Sequence, residues 1–197
     1  ITADDLGLQL SWYGDPYIET PEIDAFAETG VKFKTAYVTQ ASCSSSRSSM
    51  FTGLYPHTTG QIGLANGGFV LFPDQIGKNL PRYLKEAGYR TGILGKLHGS
   101  PESIFLMVNY SDPHFYKDSK DGKIVFPPQW EGLPENPIPA SSIPGWDFQG
   151  IDEPIARERT TNYYNTVKRF DAGVGMLLAA LESAGLEDDT LVILLSD

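Results

Sequence analysis

Apolar and polar positions along the chain fall into two periods. Residues 31–38 (Val-Lys-Phe-Lys-Thr-Ala-Tyr-Val) alternate, which predicts a strand with one buried face. Residues 89–94 and 104–110 predict two further strands, the second an almost unbroken apolar run of the kind buried on both faces. Residues 191–195 form another such run and end at once in Ser196-Asp197. The helical period shows elsewhere. Thr20 as N-cap, Pro21 at the first helical position and Gly30 as a stop bracket a helix over 22–29. Leu80, Tyr83 and Leu84 share one face of 80–87, and Gly88 closes that helix. Ile155, Tyr163, Val167, Phe170, Val174, Leu177 and Leu181 recur near helical spacing through 153–184, the longest helix predicted, before Gly185 and an Asp188-Asp189 turn. Residues 112–153 are rich in Pro, Gly and Ser and predict a long surface excursion.

Strands alternating with helices imply an α/β fold, with a mostly parallel sheet flanked by helices. One junction breaks this rule. Residues 95–103 leave too short a connection between the strands at 89–94 and 104–110, because a parallel crossover takes about a dozen residues or more. The expectation is that a segment is missing between about 99 and 104. Both ends of the chain also stop at the edge of a strand. Residues 1–197 are therefore read as an incomplete N-terminal catalytic α/β domain, a fragment of a larger enzyme.

Composition narrows the function. The chain carries 25 Asp and Glu against 15 Lys and Arg, a formal charge of −10. That balance opposes non-specific nucleic-acid binding but leaves room for a small anionic substrate held by a few local cations. The longest apolar runs are far too short for a membrane span. A single Cys excludes an internal disulfide and a multi-Cys zinc site.

That Cys lies in the most informative stretch, Cys43-Ser44-Ser45-Ser46-Arg47 followed by Thr52-Gly53. If a helix begins near Ser46, Cys43 sits at its positive end and Arg47 one turn in, a place that suits a nucleophile and an anion together. The competing reading is a buried structural Cys beside a Ser-rich turn. Asp4 and Asp5 follow a strand end, and Asp197 ends another. In α/β folds that edge of the sheet holds ligand sites. Three carboxylates without a His-Cys cluster point to a hard, oxygen-loving ion such as Ca²⁺ or Mg²⁺; without one, the Asp pair is a solvated turn. His98 lies two residues after Lys96 and His114 follows a buried strand, while His57 follows Pro56 in a turn and is read as structural.

Residues 43–53 resemble the sulfatase signature C-x-P-x-R-x-x-x-x-T-G. In family order, Ala3-Asp4-Asp5-Leu6-Gly7, Gly95-Lys96-Leu97-His98-Gly99, Asp112-Pro113-His114 and the strand ending in Ser196-Asp197 resemble the other sulfatase motifs. The chain is identified as a member of that family, within the alkaline phosphatase superfamily, and is most similar to its heparan N-sulfatase branch and bacterial relatives. The resemblance implies a hydrolase that removes sulfate from a sulfated sugar, as an O-sulfate ester or an N-sulfamate such as occur in glycosaminoglycans. It implies formylglycine made from Cys43 by a maturation enzyme, and a divalent cation, Ca²⁺ ahead of Mg²⁺, on Asp4, Asp5, Asp197 and residue 43. It casts Arg47 and Lys96 as holders of the anion, His114 as general acid to the leaving group and His98 as acceptor of the remaining hydroxyl proton. Family habit places the protein outside the cytoplasm, in a bacterial periplasm, a lysosome-like compartment or the exterior. The rivals are a phosphoester or phosphonate hydrolase of the same superfamily, and a non-catalytic glycan-binding protein on the same fold. Ser45 departs from the signature Pro, and the segment after Gly-Lys-x-His is shorter than in the family.

Overall fold

The computed structural model describes residues 1–95, 106–118, 121–127 and 129–197. In chain order its elements are β1 (Thr2–Ala3), α1 (Pro21–Glu28), α2 (Cys43–Thr52), α3 (Pro56–Thr59), α4 (Leu80–Glu86), β2 (Gly92–Gly95), β3 (Leu106–Asn109), β4 (Tyr116–Lys117), β5 (Ile124–Val125), α5 (Pro154–Ser183) and β6 (Leu195–Ser196). They divide between two compact units. One comprises Ile1–Asp4, Phe33–Ser111 and Leu194–Asp197, and the other Asp5–Lys32 and Asp112–Ile193.

The first unit holds a four-stranded sheet in the order β2-β3-β1-β6, parallel throughout. β2 and β3 pair from Gly92 against Leu106 to Gly95 against Asn109. The parallel arrangement is the one expected from the sequence. The proposed gap between 99 and 104 lies outside the described residues. β1 is central, with Thr2 in register with Asn109 on one side and Leu195 on the other. Helices α2, α3 and α4 belong to the same unit.

Two strand expectations are corrected. Residues 31–38 form no strand, and Val31, Phe33 and Tyr37 are 83%, 72% and 90% exposed. Residues 191–194 are also irregular, and of the expected 191–195 strand only Leu195 pairs, together with Ser196 beyond it. Alternation marks a segment fit for a pleated surface, but a strand exists only where a neighbour offers a free edge in register.

The second unit is built on α1 and α5. Ile23 on α1 and Tyr163, Val167, Phe170 and Val174 on α5 are buried as the helical spacing predicts, while Ile155 of the same pattern is 52% exposed. Thr20 stands at the N-cap of α1 as expected, but its hydroxyl caps no helix amide, because it is engaged with Ser11 and Asp24. Asp171 of α5 caps the helix instead, accepting from the backbone amides of Ile23 at 2.8 Å and Glu22 at 3.4 Å. The 112–153 excursion is less superficial than expected. It forms a β4–β5 hairpin, and buried polar groups of α5 pin it down. Asn165 accepts from the amide of Ile138 at 2.7 Å and donates to its carbonyl at 2.9 Å. Thr161 accepts from the amide of Ile143, a residue only 3% exposed.

Burial pushes the Asp171 carboxyl up to about 6, against the two amide bonds that lower it; Glu22 and Asp24 add to the rise. A carboxyl whose folded value exceeds its unfolded one gives stability that is full below the unfolded value and lost as pH rises through about 6. Asp171→Asn removes the buried charge but keeps a single acceptor oxygen, so one of the two amides, bonded in the parent to Oδ1 and Oδ2 separately, faces an NH₂ donor instead. The variant's thermal midpoint relative to the parent should rise between pH 4 and pH 7, by the equivalent of ~2 kcal/mol, because only the parent loses stability over that range. Melting curves of both proteins across pH 4–7 check this, and a constant difference across that range would contradict it.

Candidate active site

Helix α2 carries Cys43 and Arg47, and its sequence explains its placement. Ser42 is extended (φ −160°) and Cys43 opens the helix, three residues earlier than the start considered from sequence. Gly53 closes it in the left-handed region (φ 71°), where a side chain is strained. The small hydroxyls between form its buried face. Ser44 Oγ accepts from the amide of Ala65 at 3.1 Å, Ser45 Oγ donates to Gly63 O at 3.4 Å, and Ser49 Oγ accepts from Thr39 at 2.9 Å. Ser45 is third in the helix, where the amide has no intrahelical acceptor, so the backbone there would also tolerate the Pro it replaces.

Arg47 lies one turn after Cys43 and is 5% exposed. Its Nε meets Asp197 Oδ2 at 2.5 Å, its Nη2 lies 3.8 Å from Asp4 Oδ1, and its Nη1 donates to Asn109 Oδ1 at 3.1 Å. Asp4 follows β1 and Asp197 follows β6, and the pairing of Ala3 with Ser196 brings both carboxylates to one edge of the sheet. An Asp4 oxygen lies within 4.8 Å of Cys43 Sγ and of an Asp197 oxygen. Both carboxylate side chains are 0% exposed.

Two carboxylates around one guanidinium carry one net negative charge, which is costly away from water. The oxygens suit a hard divalent cation, and the charge excess favours one. Asp4 and Asp197 therefore fit the ion that the family resemblance implies.

In the second unit, Asp5 adopts φ 64° and its carboxylate Oδ2 lies 3.5 Å from His114 Nε2. Tyr163 Oη donates to the Asp5 carbonyl and accepts from the Gly7 amide, both at 3.3 Å, which fixes this turn. Burial pushes the Tyr163 phenol up to about 12, so it remains a donor. His114 Nδ1 faces the Phe115 carbonyl. Arg169 of α5 grips Asp112 with both ends of its fork, at 2.7 and 2.6 Å, and reaches Pro127 O at 3.2 Å. The turn that bears His114 is thereby tied to α5.

Of the residues picked from sequence, Asp4, Cys43, Arg47 and Asp197 come together in the first unit, and Asp5 and His114 in the second. Lys96 and His98 lie outside the described residues. His57 is exposed and stacks on Tyr55 at 5.8 Å. Sequence reasoning missed Asn109, Thr2, Tyr163 and Arg169. The available signal for Asn109 was a lone amide closing the apolar β3 run.

The Sulfatase family model matches residues 1–103 and 99–197, which together take in the whole chain. The chain belongs to the sulfatase family. It is 31% identical to human N-sulphoglucosamine sulphohydrolase over 249 aligned positions, covering 100% of this chain and 49% of that relative. It is 44% identical over 99 positions to the N-acetylgalactosamine-6-O-sulfatase of Bacteroides thetaiotaomicron, covering 50% of this chain and 19% of the relative. The chain thus spans about half the length of the first relative and less of the second. The crystal structure of Ps i-CgsB superposes with a TM-score of 0.56 at 20% identity, covering 100% of this chain and 57% of that one, and supports the α/β fold. Among the described residues no helix is long and apolar enough to cross a membrane.

Proposed function

We propose that this sulfatase hydrolyses a sulfated sugar, at an O-sulfate ester or an N-sulfamate, in an extracytoplasmic compartment. The observation that carries this reading is Arg47, set between the Asp4 and Asp197 carboxylates one helical turn from Cys43. The similarity over the whole chain to an N-sulphoglucosamine sulphohydrolase, and over half of it to a 6-O-sulfatase, supports the substrate class.

Asp4, Asp197 and residue 43 would hold a divalent cation, Ca²⁺ ahead of Mg²⁺, with Asp5 assigned to it by the family motif alone. When present, the cation would supply charge to polarise sulfate oxygens, and a formylglycine at position 43, installed by a maturation enzyme, would supply the attacking oxygen. Arg47 and Lys96 bind the anion and offset the charge that develops on it. His114 delivers a proton to the departing alcohol or amine, and the Asp5 carboxylate beside it holds the ring. His98 accepts the proton that remains after sulfur–oxygen or sulfur–nitrogen cleavage.

The test is intact-mass analysis of the peptide containing Cys43, combined with rates on matched substrates. Conversion to formylglycine lowers the mass by about 18 Da. Sulfate release from N-sulfoglucosamine or a 6-O-sulfated N-acetylhexosamine should exceed phosphate release from an aryl phosphate. An unmodified peptide in a protein that releases no sulfate would favour the glycan-binding reading, and faster phosphate release the phosphohydrolase reading.

A further inference from the structure

Arg47 is held by three side chains, and they are not equivalent. Asp197 and Asp4 carry charge, but Asn109 is neutral. Asn109 ends β3 and is 3% exposed, and its register partner Thr2 on β1 is 2% exposed. Its Oδ1 receives both Arg47 Nη1, at 3.1 Å, and the Thr2 hydroxyl. A guanidinium only donates, so the atom facing it must be the amide oxygen, and the Thr2 hydroxyl meeting that same oxygen donates too. The polarity of the chain Thr2 to Asn109 from one side, and Arg47 to Asn109 from the other, is thereby fixed.

The consequence falls on the third guanidinium nitrogen. Nε is taken by Asp197 and Nη1 by Asn109, while Nη2 is buried with no hydrogen bond among the described residues, 3.8 Å from Asp4 Oδ1. A buried donor in this state is costly unless a ligand completes it. A carboxylate at position 109 would hold Nη1 equally well but add a third negative charge to a site meant for an anion.

We propose that Asn109 is a positioning residue: by anchoring Nη1 without adding charge, it sets the guanidinium plane and leaves Nη2 as the donor to a sulfate oxygen. This rests on the reading of Arg47 as the group that holds sulfate. The Thr2 bond serves the strand pair, and the Arg47 bond serves the anion.

The test is calorimetric binding of inorganic sulfate to the intact protein with calcium present, with the thermal midpoint measured for each variant. Asn109→Ala should weaken sulfate binding about tenfold, and Asn109→Ser, a second route if the Ala protein does not fold, should do the same. Substrate KM should rise in step. Thr2→Val removes only the strand-side donor and should leave sulfate affinity within about twofold. Parent-like affinity in a folded Asn109 variant overturns the proposal, and so does an equal loss in Thr2→Val, which would make the effect one of sheet structure. Arg47→Ala separates the two levels. If it too binds sulfate like the parent, the reading of Arg47 itself fails. If it loses binding while the Asn109 variants keep it, only the role of Asn109 fails.

Discussion

Cys43→Ala should abolish sulfate release in the intact enzyme while leaving the fold nearly unchanged. Residue 43 supplies the covalent step of the proposed reaction, and the chain has one Cys, so nothing replaces it. Loss of a nucleophile typically costs at least ~10³-fold, because only binding and electrostatic help remain. The side chain is half-buried at the first residue of α2, and Ala removes one sulfur without burying a new polar group. The thermal midpoint should therefore move by the equivalent of about 1 kcal/mol or less. An inert core Cys would give the reverse pattern, with lower stability and full turnover per folded molecule. Sulfate release normalised to folded protein, measured beside the melting curve, decides between them. Near-parent turnover in Cys43→Ala would end the proposed mechanism.

What the sequence revealed follows from how local each signal is. Helices α1, α4 and α5 were legible because their stops and periodic faces lie within the segments themselves. Helix α2 was legible only through its motif, since its buried face is Ser44, Ser45 and Ser49, which no apolar period reports. Residues 31–38 and 191–194 carry strand-like patterns that the sheet does not use, because pairing is decided by the neighbour. The same division runs through the site. Asp4, Cys43, Arg47, His114 and Asp197 stood out as residue types at recognisable spacings. Asn109 acquires meaning only when parallel pairing sets it beside Thr2 and under Arg47, residues 107 and 62 positions away. The capping of α1 by Asp171, 148 positions from Ile23, was invisible for the same reason.

Arg47→Ala should damage stability as well as activity. It leaves the Asp4 and Asp197 carboxylates, both fully buried, without the guanidinium that lies against them. Removing one partner from a buried charge cluster costs about 3–5 kcal/mol, because the remaining charges stay desolvated. In the presence of a chelator the thermal midpoint of Arg47→Ala should fall well below that of the parent. Calcium should then recover part of the loss, since a cation bound by the folded state and not by the unfolded chain stabilises by mass action. The recovery should be larger in the variant than in the parent, where the guanidinium already offsets one of the two charges. Arg47→Lys keeps the charge but not the fork, so it should fall between the two in stability while binding sulfate poorly. Melting curves with chelator and with a calcium titration read all three proteins. If Arg47→Ala melts with the parent in chelator, the carboxylates are not coupled to the guanidinium. If calcium moves neither midpoint, Asp4 and Asp197 do not form the cation site, whatever the activity of the enzyme.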